Sequence, residues 1–261
     1  MPNIQHGISK EKKMKHVIIR TALCLSFASL TWASEEIPLT AHPDSKSWQN
    51  LFTDDLSDAS YPKGVWMLKD GELTATKDQC IWTTNKYENF ILDLEFKMGD
   101  AANSGVIVHC SDIQNWIPNA LEVQILDDAH PKWASAAANW KCGGLFGHLA
   151  PSKQAGKKAG EWNRMTVTCK GSMIYVLLNN EGVTEADLKK WTNAKKNPDG
   201  SDIPGWLSKP LADLANKGYI GLQGKHGEAP IFFRNMKIKT LPTADEQQPA
   251  SNGSEAVPQK K

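Results

Sequence analysis

Much of what would give a quick answer is missing from this 261-residue sequence. It has no apolar run long enough to cross a bilayer, no CxxC pair, and neither GxxxxGK[ST] nor GxGxxG at a strand-to-helix junction. Those absences exclude a transmembrane bundle, a zinc ribbon and a nucleotide-phosphate loop. GxSxG and HExxH are absent too, which removes the nucleophile-elbow hydrolases and the zincins. Charge of one sign is lacking: 30 Lys+Arg face 29 Asp+Glu, a net charge of +1. No broad basic face is available to a phosphate backbone, so nucleic acid is not an expected partner. With 40% hydrophobic and 23% charged residues, the chain is neither collagenous nor wholly disordered.

The first 33 residues read as a targeting segment. Lys12, Lys13, Lys15 and Arg20 precede Thr21 to Ala33, a run too short to span a membrane but suited to a secretory signal cleaved after Ala33. Met14 is an alternative start, with residues 1–13 an extension. Cleavage would remove five of the 30 Lys+Arg and one of the 29 Asp+Glu, leaving a slightly acidic chain with no membrane span. The expected destination is the periplasm or the medium. In such an oxidising compartment Cys80, Cys110, Cys142 and Cys169 can form up to two disulfides, in three possible connectivities, or stay buried as free thiols.

After a lead at 34–45, the body (46–241) repeats short apolar or alternating runs between turn residues. They cover 72–76, 80–84, 90–98, 105–110, 121–127, 162–170, 173–178, 219–223 and 231–239. The pattern predicts an all-β sandwich or jelly roll. Period-2 alternation puts Leu92, Leu94, Phe96 and Met98 on a core face, and likewise Leu121, Val123 and Ile125, with Glu122 and Gln124 opposite. The same count sets His109 opposite Val106, Val108 and Cys110, and leaves Arg234 in mid-strand. An insertion at 181–217 is expected to hold one short helix, from a weak capping box formed by Thr184 and Asp187. It either shapes a cleft or decorates the surface. The tail at 242–261 has almost no large apolar residue and is expected to be disordered.

Tryptophan is the compositional outlier, with ten in the chain. Exposed indoles on a β scaffold suit stacking on sugar C–H faces, whereas buried ones fill the core. Trp116, Trp133 and Trp140, in loops flanking Glu122, are the surface candidates.

Several short motifs then occur in a fixed order: Leu51-Phe52, Trp66 to Leu73 (WMLKDGEL), Asn103-Ser-Gly105, Glu122 to Asp127 (EVQILD), Gly160-Glu-Trp-Asn163, Gly218 to Gln223 (GYIGLQ) and Phe233-Arg-Asn235. In this the chain resembles the 3-keto-disaccharide hydrolase family, long known as domain of unknown function 1080, over residues 46–241. The resemblance implies a concanavalin or laminin-G type sandwich. It also implies a substrate glycoside whose C3 hydroxyl a separate sugar oxidoreductase has already oxidised to a ketone. The ketone acidifies the C2 proton; its removal, expulsion of the C1 leaving group and addition of water yield the 3-keto sugar. Such chemistry needs a base, a donor-rich site at the ketone oxygen and an acid for the leaving oxygen.

Carried over position by position, the resemblance assigns Glu122 and Gln124, Asn103 and Ser104, and Arg234 to the site, with Glu122 as base or metal ligand. Alternatively, Glu122 pairs with Arg234 and braces the sheet. His109 stands where the family often has Arg, and serves either as base, as ligand or in the structure. His148, Lys225 and His226, in Gly-rich loops, are further substrate-binding candidates beside Trp116 and Trp140. No cofactor is required by the sequence; a divalent metal on Glu122 with His109 or Asp127 would act as a Lewis acid, and calcium at Asp-rich turns is the structural alternative. A noncatalytic carbohydrate-binding module and a direct glycoside hydrolase are the competing functions.

Overall fold

The computed structural model describes residues 40–243. The expected signal, half of the lead and nearly all of the tail lie outside them. Among the described residues, thirteen antiparallel strands form two sheets. The larger sheet holds β1 (Gln49–Asn50), β3 (Trp66–Lys69), β4 (Glu72–Ala75), β6 (Phe90–Met98), β9 (Trp162–Lys170), β10 (Met173–Leu178), β11 (Glu181–Asp187) and β13 (Ile231–Thr240). Its order is β11-β10-β9-β6-β13-β4-β3, with β1 also on β13. The smaller sheet, ordered β2-β5-β12-β7-β8, holds β2 (Ala59–Ser60), β5 (Ile81–Thr83), β7 (Asn103–Cys110), β8 (Leu121–Leu126) and β12 (Tyr219–Leu222). All nine strand segments expected from alternation are present. This is the jelly-roll sandwich that the turn spacing and alternation predict.

One hydrophobic core joins the sheets. Leu92, Leu94, Phe96 and Met98 of β6 and Phe233 of β13 meet Val106 and Val108 of β7, Leu121, Val123 and Ile125 of β8, and Ile220 of β12. Polar residues of opposite parity are therefore sent to the two outer faces, which lie on opposite sides of the sandwich. Between β3 and β4, Asp70 and Gly71 both have positive φ, the two-residue reversal that matches strand twist.

Asp93 of β6 departs from the simple alternation. It is on the outer face yet buried, because the segment 42–45 is strapped over it. Its carboxylate accepts from Ser45 Oγ, Thr166 Oγ1 and both Nε and Nη2 of Arg164, and Arg164 Nη2 also reaches Pro43 O at 2.6 Å. His42 Nε2 accepts from Asn180 N at 3.0 Å. That leaves the proton on Nδ1, which donates to Thr166 Oγ1 at 2.7 Å.

The insertion corrects one expectation. Thr184 and Asp187 lie in β11, paired to β10, rather than opening a helix. Asp187 instead caps a single 3-10 turn, Leu188–Lys190, by accepting from Lys189 N. Two further turns, Gly205–Leu207 and Leu211–Asp213, supply the rest of its helical content. The pairing of residues 181–187 with β10, which buries Val183, Thr184 and Ala186, outweighs the weak capping signal. Cys80, Cys110, Cys142 and Cys169 are all free thiols. No helix among the described residues is long and apolar enough to cross a membrane.

Candidate active site

The outer face of the smaller sheet carries a row of facing positions. Trp82 of β5 is paired with Gly221 of β12, Gly221 with Ile107 of β7, and Ile107 with Glu122 of β8. Two glycines make room along it. A Cβ on Gly221 would lie 2.5 Å from the Trp82 ring, and one on Gly105 would lie 2.1 Å from Glu122 Oε1. The indole thus lies over one glycine and the carboxyl over the other. Trp82, Ile107, Cys110 and Ala120 form an apolar cluster there, with Trp116 edge-on to Trp82 at 6.2 Å.

Glu122 keeps some exposure on this face, but its carboxyl is closely surrounded. Burial, and secondarily the charge of Asp78, pushes it up to about 8. The Cys80 thiol beside it is likewise raised, by burial first and then by Glu122. Asp78 Oδ2 is 2.6 Å from His226 Nδ1, and His226 is bridged to Asn103 at the start of β7. Asn103 Oδ1 accepts from Gln124 Nε2 at 3.0 Å. Gln124 is 1% exposed, and its Oε1 has no partner among the described residues. An acid poised between ionisation states, an amide pair and a histidine–carboxylate pair therefore adjoin on one face.

The Gly105 contact yields a direct prediction. In Gly105→Ala the new methyl can be accommodated only by displacing the Glu122 carboxyl, the end of a flexible side chain, since Gly105 has no positive φ. The fold should survive, with a melting temperature within about 4 °C of wild type. Turnover should fall by about tenfold or more, as expected when a reacting group is moved by an ångström. Wild-type turnover in this variant would show that the carboxyl's position is immaterial.

Residues 44–239 match the model of the 3-keto-alpha-glucoside-1,2-lyase-like domain. The chain belongs to that family. A curated 3-keto-disaccharide hydrolase of Bacteroides thetaiotaomicron is 28% identical over 177 residues, 60% of each protein, so the chain spans 60% of that relative's length. A crystal structure of a candidate glycosyl hydrolase from Parabacteroides distasonis ATCC 8503 is 52% identical, with a TM-score of 0.73, covering 74% of this chain and 99% of that one. Another from the same organism, at 22% identity and a TM-score of 0.58 over 72% and 90% of the two chains, shares the fold.

Not every residue suggested by the family resemblance is at the Glu122 face. Glu122, Gln124, Asn103 and His226 are brought together there, with Trp116 at its apolar end. Ser104 is fully buried on the inward parity, its hydroxyl donating to Gln223 O at 2.8 Å, and is a tether between β7 and β12. Arg234 is on the other sheet: its Nε donates to Glu95 Oε2 and its guanidinium lies 3.9 Å over the Trp162 ring. It braces the outer face of the larger sheet, and its carboxylate partner is Glu95, not Glu122. Lys225 is paired with Glu228 at 3.4 Å within its own loop.

His109 is the largest correction. The pairing of β7 with β12 slips between Tyr219 and Gly221, and His109 has φ +56. This bulge inserts one residue and reverses the parity beyond it. Cys110 joins the outer cluster, while the imidazole turns inward, 2% exposed and 6.2 Å from the Phe90 ring. Burial lowers its pKa to about 4. Asp127 is buried and accepts from Ala101 N at 3.0 Å. Glu122, His109 and Asp127 therefore do not form a ligand set, and among the described residues no three His, Cys, Asp or Glu side chains group as a metal site.

His148 and Trp140 line a separate cavity of about 520 Å³ beyond the edge of β8. Two residues of this face went unseen in the sequence: Asp78, whose charge acts on Glu122, and Trp82, at the apolar end. Trp82 sits in the strand Ile81–Thr83, where every residue is buried, so alternation gives no face.

Proposed function

We propose that the chain is an exported enzyme that cleaves 3-keto-glycosides, 3-keto-disaccharides among them, by elimination followed by hydration. The observation that carries this reading is the Glu122 carboxyl, held over Gly105 on the outer face and raised to about 8. A group with that pKa both takes and returns a proton near neutral pH. Its carboxylate removes the C2 proton, and the electron pair moves into an enolate on the C3 oxygen. The enolate collapses to expel the C1 substituent, whose oxygen takes the proton back from the newly neutral Glu122. Water then adds at C1 of the 1,2-unsaturated ketone, so substrate and water become a 3-keto sugar and the free alcohol.

The Asn103 amide, its Oδ1 already engaged by Gln124, supplies a hydrogen-bond donor for the developing enolate oxygen, and His226, whose Nδ1 donates to Asp78, presents Nε2 as an acceptor for a sugar hydroxyl. The buried Gln124 holds the Asn103 amide in place through its Nε2. A sugar oxidoreductase must work upstream, because only the ketone makes the C2 proton acidic enough for a carboxylate. The same compartment, outside the cytoplasm after cleavage at Ala33, would hold both enzymes.

The test is to compare a 3-keto-glycoside with the same glycoside unoxidised. The purified protein is expected to release the alcohol from the first and not from the second. Release from the unoxidised sugar would identify a direct glycosidase, and binding of sugars with no release from either would identify a noncatalytic module. Both outcomes reject the reading.

A further inference from the structure

The cavity beyond β8 holds chemistry that the Glu122 face does not use. Its walls include Trp140, Trp206, His148, Asp199, Ser201 and Asp202. Trp206 is 55% exposed although it is a large apolar side chain, and it meets Trp140 edge-on at 6.5 Å. Trp206 sits on the 3-10 turn Gly205–Leu207 of the insertion, which packs against the turn Ile117–Asn119 that precedes β8. Trp140 in turn lies 5.1 Å from Phe146, whose backbone N–H donates to Glu122 O at 3.0 Å. The aromatic wall thus starts at the backbone of the candidate catalytic strand.

Apart from the Asn139 amide, which can donate as well as accept, the polar groups that this cavity offers a ligand are mainly acceptors. His148 is 6% exposed, and its Nδ1 faces Asn197 Oδ1 at 3.4 Å. That oxygen also accepts from Trp191 Nε1, and Asn197 Nδ2 donates to Gly147 O, which fixes the orientation of the amide. Since an amide oxygen only accepts, the His148 proton is on Nδ1 and its Nε2 is a bare acceptor. Burial lowers its pKa to about 4, so the ring stays neutral. Asp199 Oδ1 is engaged by the Ser201 N–H and hydroxyl, which lower its pKa and keep it ionised, and Asp202 is an exposed carboxylate paired to Lys196. A ring that presents C–H groups to an indole and several hydroxyl donors to acceptors fits this lining; an anionic ligand would meet carboxylates.

We infer that this cavity, walled by Trp140 and Trp206 and floored by His148, is the binding site for the leaving sugar of a disaccharide substrate, an uncharged hexopyranose. The inference rests on the proposed function for its orientation, with the oxidised ring over Glu122 and the second ring in the cavity. It makes the insertion a determinant of substrate length.

The experiment compares wild type with Trp206→Ala on three substrates: a 3-keto-disaccharide, a 3-keto methyl glycoside and a 3-keto p-nitrophenyl glycoside. The expected result is a KM about tenfold higher for the disaccharide, little change in kcat, and a KM within twofold for the methyl glycoside. Trp206 is exposed, so the variant should fold, and an unchanged melting curve checks it. A disaccharide KM that does not move overturns the inference while leaving the proposed function standing. A change confined to the p-nitrophenyl substrate also overturns it, in favour of an aromatic aglycone. If wild type turns over none of the three, the proposed function fails separately. Titration with glucose, read by quenching of indole fluorescence, then decides the cavity alone: saturable quenching lost in Trp206→Ala supports a sugar site, and no quenching rejects it.

Discussion

Glu122→Gln is expected to lower kcat/KM for a 3-keto-glycoside by about 10²- to 10⁴-fold, the usual contribution of a positioned proton-transfer group. The substitution keeps shape and hydrogen-bonding capacity and removes only the titration. The wild-type profile of kcat/KM should rise with pH through about 8, as the free enzyme's carboxyl ionises into a base, and the variant should lack that limb. Stability should move the opposite way. A carboxyl whose folded pKa exceeds its unfolded value holds its proton in the native state across the window from about 4.5 to about 8, so wild-type stability falls as pH rises through that window. Glutamine removes this penalty, and the variant's melting temperature relative to wild type should be higher at pH 8 than at pH 5. A variant with wild-type turnover, or with the same pH limb, would remove Glu122 from the mechanism.

Arg164→Ala should have the largest effect on stability. It strips from Asp93 its only cationic hydrogen-bond partner among the described residues, leaving a buried carboxylate with the hydroxyls of Ser45 and Thr166. Breaking one side of a buried pair costs about 3 to 5 kcal/mol; with the guanidinium about a third exposed, we expect the lower end, about 3 kcal/mol. For a domain of this size that corresponds to a fall in melting temperature of about 6 to 12 °C. Arg164→Lys should fall between the two, because an ammonium cannot reach both carboxylate oxygens and Pro43 O in the guanidinium's planar geometry. A melting temperature unchanged in Arg164→Ala would mean that the strap at 42–45 contributes nothing to the sandwich.

The sequence was most informative where local rules act alone. The apolar residues of β6 and β8 alternate in sequence, and Leu92, Leu94, Leu121 and Val123 face the core as counted. The same rule put Glu122 and Gln124 on the outer face. It failed at His109 because counting assumes an uninterrupted strand, and the only hint of a bulge lies in a different segment: a Cβ on Gly218 would sit 2.3 Å from the His109 carbonyl carbon. Arg234 failed for another reason. Alternation assigns an inward or outward side but does not say which sheet a strand joins, and β13 lies across the core from β8. Asp78 comes from a loop that meets the site only after long-range closure, where no periodicity operates. In the insertion, Thr184 and Asp187 matched a capping pattern, but the next strand's pairing to β10 decided the conformation.

The bulge at His109 has a further consequence for how a molecule can lie on the smaller sheet. By swinging Cys110 outward to join Trp82, Ile107 and Trp116, it extends the oily end of the outer surface, while Asp78, Glu122 and His226 keep the other end polar. A sugar has a bare side and a hydroxyl-studded side, so it gains most in one heading along this strip and loses in the reverse. On the proposed function, the single extra residue in β7 thus strengthens the preferred direction of docking by adding Cys110 to the apolar end, without adding a catalytic group of its own.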